Sequence, residues 1–234
     1  MRSPFVTLAL AYGVFSVLYL GAAAMPLAVP ITLPPSALDA AIPRMPWTVW
    51  VYLSQFPFLG FVYWQAQGTV AWTRNLRGML AATVTSAVVF VVLPTRILRE
   101  AIDADAATAV AFRLLYGTDP TGNCLPSLHV SLALLGASGF WPERPRLGAV
   151  CSAWAALITI STLTTKQHYA VDILAGVAVG TAAAWLVRRA ESNGRSFVVL
   201  LRTRTITAAP APGRAFAGAP AGDVALPAVE EAVR

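Results

Sequence analysis

The sequence predicts an all-α polytopic membrane protein, a six-transmembrane-helix bundle with its active site at the extracytoplasmic face. Three observations carry the prediction. Hydrophobic residues make up 57% of the 234 residues and charged residues only 12%, roughly half the ~25% charge of an ordinary soluble domain. Mean hydropathy is +0.64. Six apolar stretches, about 5–25, 47–66, 77–95, 125–141, 147–164 and 171–187, approach the ~20 residues that a spanning helix needs.

The first stretch reads as a retained anchor, because its apolar run is long and Pro26 follows; Ala22-Ala23-Ala24 is the competing signal-peptidase site. An outer loop, Leu38 to Trp50, leads into the second stretch, where Trp47, Trp50, Tyr52, Tyr63 and Trp64 suit interfacial aromatic belts. The fourth stretch carries His129 and two serines, and the sixth begins at Asp172. Both are weakened as spans by polar residues at their starts, as helices bearing their own site residues would be. In the sixth, Gly176 and Gly180 form a small-xxx-small pair that permits close helix approach. Residues 1–195 read as one membrane domain. Residues 196–234 read as a cytoplasmic tail, and Ala208 to Arg234 is rich in alanine, proline and glycine without periodicity.

Charge orients the bundle. Arg2, Arg74, Arg77, Arg144, Arg146, Arg188, Arg189 and Arg195 flank one set of span ends. Arg44, Arg96, Arg99, Arg113 and Lys166 flank the other, diluted by Asp39, Glu100, Asp103, Asp105 and Asp119. The almost purely basic set belongs in the cytoplasm. Both termini are then cytoplasmic, and the Arg96–Asn123 loop faces outside the cell membrane. The net charge of +6 is scattered over these loops, which fits anionic headgroups and excludes a nucleic-acid partner. Cys124 and Cys151 match no metal-ligand spacing and read as small buried residues. No metal and no cofactor are expected.

The chain holds two histidines, each in a short polar signature beside an apolar stretch. Ionisable groups there are costly, and their default reading is functional. In Asn123-Cys124-Leu125-Pro126-Ser127-Leu128-His129, Pro126 suits the first position of a helix, with Thr121 and Asn123 upstream as candidate caps. Free N–H groups at such a start, with the Ser127 hydroxyl, make an anion site beside His129. In Lys166-Gln167-His168-Tyr169-Ala170-Val171-Asp172, His168 and Asp172 are four apart and share a helix face. The carboxylate can accept the Nδ1 proton and leave Nε2 free to attack or take up a proton. Taken singly, each motif also fits a plain helix start: a headgroup-level histidine, or a salt-bridged cap. Two on one membrane face favour chemistry.

Together the two signatures resemble the type 2 phosphatidic acid phosphatase superfamily. Pro126-Ser127-Leu128-His129 resembles its Pro-Ser-x-His motif, while Ser161, His168 and Asp172 fall at the spacing of its later Ser-Arg, His, Asp motif; the resemblance covers about residues 38–187. It implies His168 as the nucleophile, Asp172 as its orienting carboxylate, His129 as the acid for the leaving group and Ser127 as a donor to a phosphoryl oxygen. Two departures stand out. Thr162 replaces the arginine after the motif serine, and the opening Lys-x6-Arg-Pro motif is replaced by Leu93-Pro94-Thr95-Arg96-Ile97-Leu98-Arg99. Arg99 ahead of Arg96, with Lys166, are the available phosphate-binding cations, and the motif serine Ser161 joins Ser127 as a phosphate-binding candidate. The altered set is nearest the inositol phosphorylceramide synthase-like branch. The resemblance thus implies a metal-independent lipid-phosphate phosphatase, its substrate entering from the bilayer. A headgroup phosphotransferase is the alternative, and a non-catalytic relative a further one.

Overall fold

The computed structural model describes residues 4–99 and 101–192; the tail expected from 196 onward lies outside them. The first apolar stretch is helix α1, Pro4–Ala24. The second is helical but broken. A 3-10 turn, Pro46–Thr48, runs into α3, Val49–Leu53, and then into α4, Gln55–Ala66; the short α2, Ala37–Ala41, lies in the loop before them. The break falls at Ser54 because Pro57 has no N–H to offer the carbonyl of Leu53 four residues back. Trp154 Nε1 donates to Ser54 Oγ at 2.9 Å and ties the break to the bundle.

Helix α5, Val70–Val92, starts seven residues before the expected third stretch, so Arg74 and Arg77 lie on the helix itself. Beyond it, Thr95–Arg96 forms a two-residue parallel ladder with Ile31–Thr32. The Arg96–Asn123 loop contains a further helix, α6, Ala106–Thr118, started by Asp105, whose carboxylate accepts the Thr108 N–H at 3.0 Å. The fourth stretch condenses to α7, Leu128–Ser138, of 11 residues. Helices α8, Pro145–Thr164, and α9, Ala170–Ser192, are the last of the described elements. Among the described residues four helices, α1, α5, α8 and α9, are long and apolar enough to cross a membrane.

Helix α7 is the hub, packed against α5, α8, α9 and α4. Leu128, Val130, Leu132, Ala133, Leu135 and Ala137 are all buried. At ~1.5 Å per residue it is too short for a ~30 Å hydrocarbon layer, and its partners cover it on every side. The α7–α9 seam is as close as the small-residue pair predicts. A Cβ on Gly176 would stand 2.5 Å from the Ser127 carbonyl oxygen, and one on Gly180 would stand 3.2 Å from the Ser131 backbone.

The bundle has two distinct ends. At one, Arg74 from the start of α5 pairs with Glu143 at 3.0 Å and Glu191 at 3.2 Å, and Arg188 donates to Ser138 O at 3.0 Å. Arg144 donates to Gln65 O at 2.8 Å. These arginines belong to the basic set grouped together from the sequence. Both histidine signatures lie at the other end, where α7 and α9 begin.

Candidate active site

The Thr164–Ala170 turn places His168. The carbonyl of Thr162, buried on α8, accepts both the Gln167 and His168 N–H groups, at 3.0 and 3.2 Å. Lys166 provides the reversal with φ 57°, a left-handed conformation unusual outside glycine. Helix α9 starts at Ala170, so His168 sits just ahead of it and Asp172 in its first turn. Asp172 is fully buried, and its Oδ2 lies 3.4 Å from His168 Nδ1. The same oxygen accepts the Tyr169 N–H at 2.9 Å.

Ser127 is the N-cap of α7, so His129 is the second residue of the helix, within the first turn as expected. Three details differ from the sequence reading. Pro126 precedes the cap instead of opening the helix. The Ser127 N–H is committed to Asp172 O at 3.0 Å, because α9 approaches so closely at Gly176. Asn123, with φ 61°, turns its amide to the Tyr19 carbonyl at 2.7 Å and docks α1 instead of capping α7. The Ser127 hydroxyl is fully buried and has no protein partner among the described residues.

The fold brings His129 and His168 together, with ring centroids 5.9 Å apart and planes at 58°. It also brings in Tyr52, read from the sequence as an interfacial anchor. Tyr52 is buried, with its ring centroid 4.4 Å from that of His129; its hydroxyl is 3.4 Å from His129 Nδ1 and donates to Asp119 Oδ2 at 3.3 Å. Trp47, Trp50 and Trp64 are exposed, as belt residues should be. Asp119 stands out in the sequence only as a charge in an outer loop. Its other oxygen accepts the Tyr19 hydroxyl at 2.5 Å.

The cations divide. Arg99 is mostly buried; its guanidinium lies 3.8 Å from Asp119 Oδ2, donates to Asp119 O at 2.9 Å and covers the Tyr116 ring at 4.3 Å. Among the described residues its Nε has no partner. Arg96 is exposed on the ladder and bonds Thr32 Oγ1 at 3.0 Å. Lys166 donates to the carbonyls of Asp39 and Ile42 at 2.7 and 2.6 Å. This staples α2 to the His168 turn. Asp39 tightens the same joint by accepting the Ala170 N–H at 2.7 Å and the Ser36 hydroxyl at 2.6 Å. Burial works against the Asp39 carboxylate, but these hydrogen bonds and the Lys166 charge hold it below its ordinary pKa. Ser161 is buried in α8 with its hydroxyl on Ile158 O at 2.6 Å, supporting the helix behind His168.

Cys124 sits between these groups without reactivity. Burial and the carboxylates of Asp172 and Asp119 push its thiol up to about 12, so it stays a neutral thiol. Among the described residues no cluster of three or more histidine, cysteine or carboxylate side chains has the arrangement of a metal site.

Two histidines thus converge beside a buried carboxylate at one end of the helical bundle. Residues 6–186 match the PAP2 superfamily. A 63-residue stretch is 43% identical to an uncharacterised protein of Methanocaldococcus jannaschii; it covers 27% of this chain and 26% of that protein. The chain belongs to the PAP2 superfamily, a family whose members are generally phosphatases.

Proposed function

We propose that this protein is a membrane lipid-phosphate phosphatase that works through a phosphohistidine on His168, without a metal. The supporting observation is the convergence of His129 and His168, ring centroids 5.9 Å apart, with Asp172 behind one imidazole and the unpartnered Ser127 hydroxyl beside the other. In this reading Asp172 holds the Nδ1 proton of His168, and Nε2 attacks phosphorus. The bond from phosphorus to the lipid oxygen breaks, and His129 Nε2–H delivers a proton to that oxygen. Ser127 donates to a phosphoryl oxygen, and Arg99 offsets the charge that builds up in the transition state. Water then attacks the phosphohistidine, losing its proton to His129, and phosphate leaves.

The layout would count six helical passes, with α1, the broken α3–α4 stretch, α5, α8 and α9 around α7, which is too short to reach across the membrane unaided and is held inside the bundle by its neighbours. The basic cluster around Arg74 would face the cytoplasm, and the histidine end the outside. A lipid would then keep its chain in the bilayer while its phosphate reaches the histidines.

The second reading is a headgroup phosphotransferase, in which a lipid hydroxyl replaces water. It is supported by the engagement of Lys166 with two carbonyls and of Arg99 with Asp119. With these two cations already engaged, a monoanionic phosphodiester would suit the site better than a dianionic monoester.

Phosphate release by the detergent-purified chain, over a panel of lipid phosphates and diphosphates, tests both. Release that vanishes in His168→Ala supports the phosphatase, and vanadate should inhibit it whereas a chelator should not. No release, but a new phospholipid when an acceptor is supplied, supports the transferase. Full activity in His168→Ala would refute both.

A further inference from the structure

Tyr52 and Asp119 form a support behind His129 that neither signature contains. Tyr52 OH has one proton. The Asp119 carboxylate can only accept, so the Tyr52 proton points to Oδ2, 3.3 Å away. The tyrosine oxygen then offers only lone pairs to His129 Nδ1, 3.4 Å away. A contact between them requires the hydrogen to sit on Nδ1. Asp119 is held in place from two further sides, by the Tyr19 hydroxyl and by Arg99.

We propose that Tyr52 and Asp119 are positioning residues that fix His129 in its Nδ1–H tautomer, direct Nε2 into the site and stabilise the imidazolium form. The role of the imidazolium rests on the phosphatase or transferase reading above; the tautomer does not. A base, an orienting group and a carboxylate in series make a familiar arrangement, here with a tyrosine between histidine and acid. The other groups facing His129 are few. His168 precedes α9, Asp172 lies behind it, and Arg99 lies beyond Asp119. The charged residues of α5 and α8, namely Arg74, Arg77 and Arg146, lie within the first eight residues of their helices, toward the opposite end of the bundle. Helix α4 carries none.

The chain has only two histidines, so ¹⁵N-histidine labelling of the full-length protein in detergent gives two imidazole spin systems, and His168→Gln assigns the His129 one. Nδ1 of His129 should be protonated and Nε2 bare at alkaline pH, and Tyr52→Phe should abolish that preference. An Nε2–H tautomer in the wild type, or no change in Tyr52→Phe, overturns the proposal. This readout needs no turnover, so it decides the proposal even if the enzyme reading fails on the His168 test.

Turnover supplies the second arm. Tyr52→Phe and Asp119→Asn should slow hydrolysis of an alkyl phosphate about tenfold and that of an aryl phosphate, whose leaving group needs little acid help, less than about threefold. The alkaline limb of the pH–rate profile should move to lower pH, because an unsupported imidazolium releases its proton sooner. Equal losses on both substrates with an unmoved limb would make the pair mere scaffolding and overturn the proposal.

Discussion

Gly176→Ala is the smallest change that should separate the two halves of the site. The added Cβ would lie 2.5 Å from the Ser127 carbonyl oxygen, 3.1 Å from Val130 Cβ and 3.3 Å from Ser127 Cβ. Ordinary contact begins near ~3.5 Å, so α9 must retreat from α7 by roughly 1 Å. The nearest obstacle is backbone and cannot swing aside. One turn away on the same seam, Ser127 N–H donates to Asp172 O at 3.0 Å, so the retreat carries Asp172 and His168 away from Ser127 and His129. Overpacking of this kind costs about 1–3 kcal/mol, and a ~1 Å misplacement of reacting groups costs about a hundredfold in rate. Two controls grade the effect. Gly180→Ala, whose Cβ would meet Ser131 backbone at 3.2 Å, should be intermediate, and Gly60→Ala, with nothing within 4 Å, should be neutral. The assay is phosphate release alongside thermal unfolding of the three variants in detergent. Gly176→Ala melting and turning over like Gly60→Ala would refute the view that this seam sets the site.

The α2 staple should respond to acid and to mutation. Asp39 is held below its ordinary pKa when folded, so its contribution is present above the unfolded value near ~4 and fades as pH falls through the lower folded value. Asp39→Asn should cost about 1 kcal/mol, as loss of a helix cap does, and should flatten the acid side of a stability–pH curve measured by thermal unfolding; an unchanged curve would remove Asp39 from the account. The two arginines should separate as well. Arg99→Ala should cut turnover at least about tenfold, whereas Arg96→Ala, exposed on the ladder, should stay within about threefold; the reverse order would move the phosphate cradle to the strand.

The apolar helices were legible because hydropathy is a local property, and a run such as Val70–Val92 announces itself whatever surrounds it. The His129 and His168–Asp172 signatures were legible for a related reason. Each is a short run whose members stay neighbours in any helical start. The close α7–α9 seam could also be read, from Gly176 and Gly180. The breaking of the second stretch at Ser54 and the shortening of the fourth to 11 residues were harder to see, because burial within the bundle frees a helix from having to match the membrane on its own.

Local patterns along the chain mark the candidate site residues and the helices that carry them. Tertiary structure decided what holds those residues. Tyr52 reads as a belt aromatic until the fold buries it against His129, 77 residues away, with Asp119 at a separation of 67. Lys166 reads as a phosphate ligand until its ammonium is seen on the carbonyls of Asp39 and Ile42, 127 and 124 residues away. A side chain's charge and shape are written in the chain. Its partner is set by helices packing across long sequence separations, and no local pattern records that.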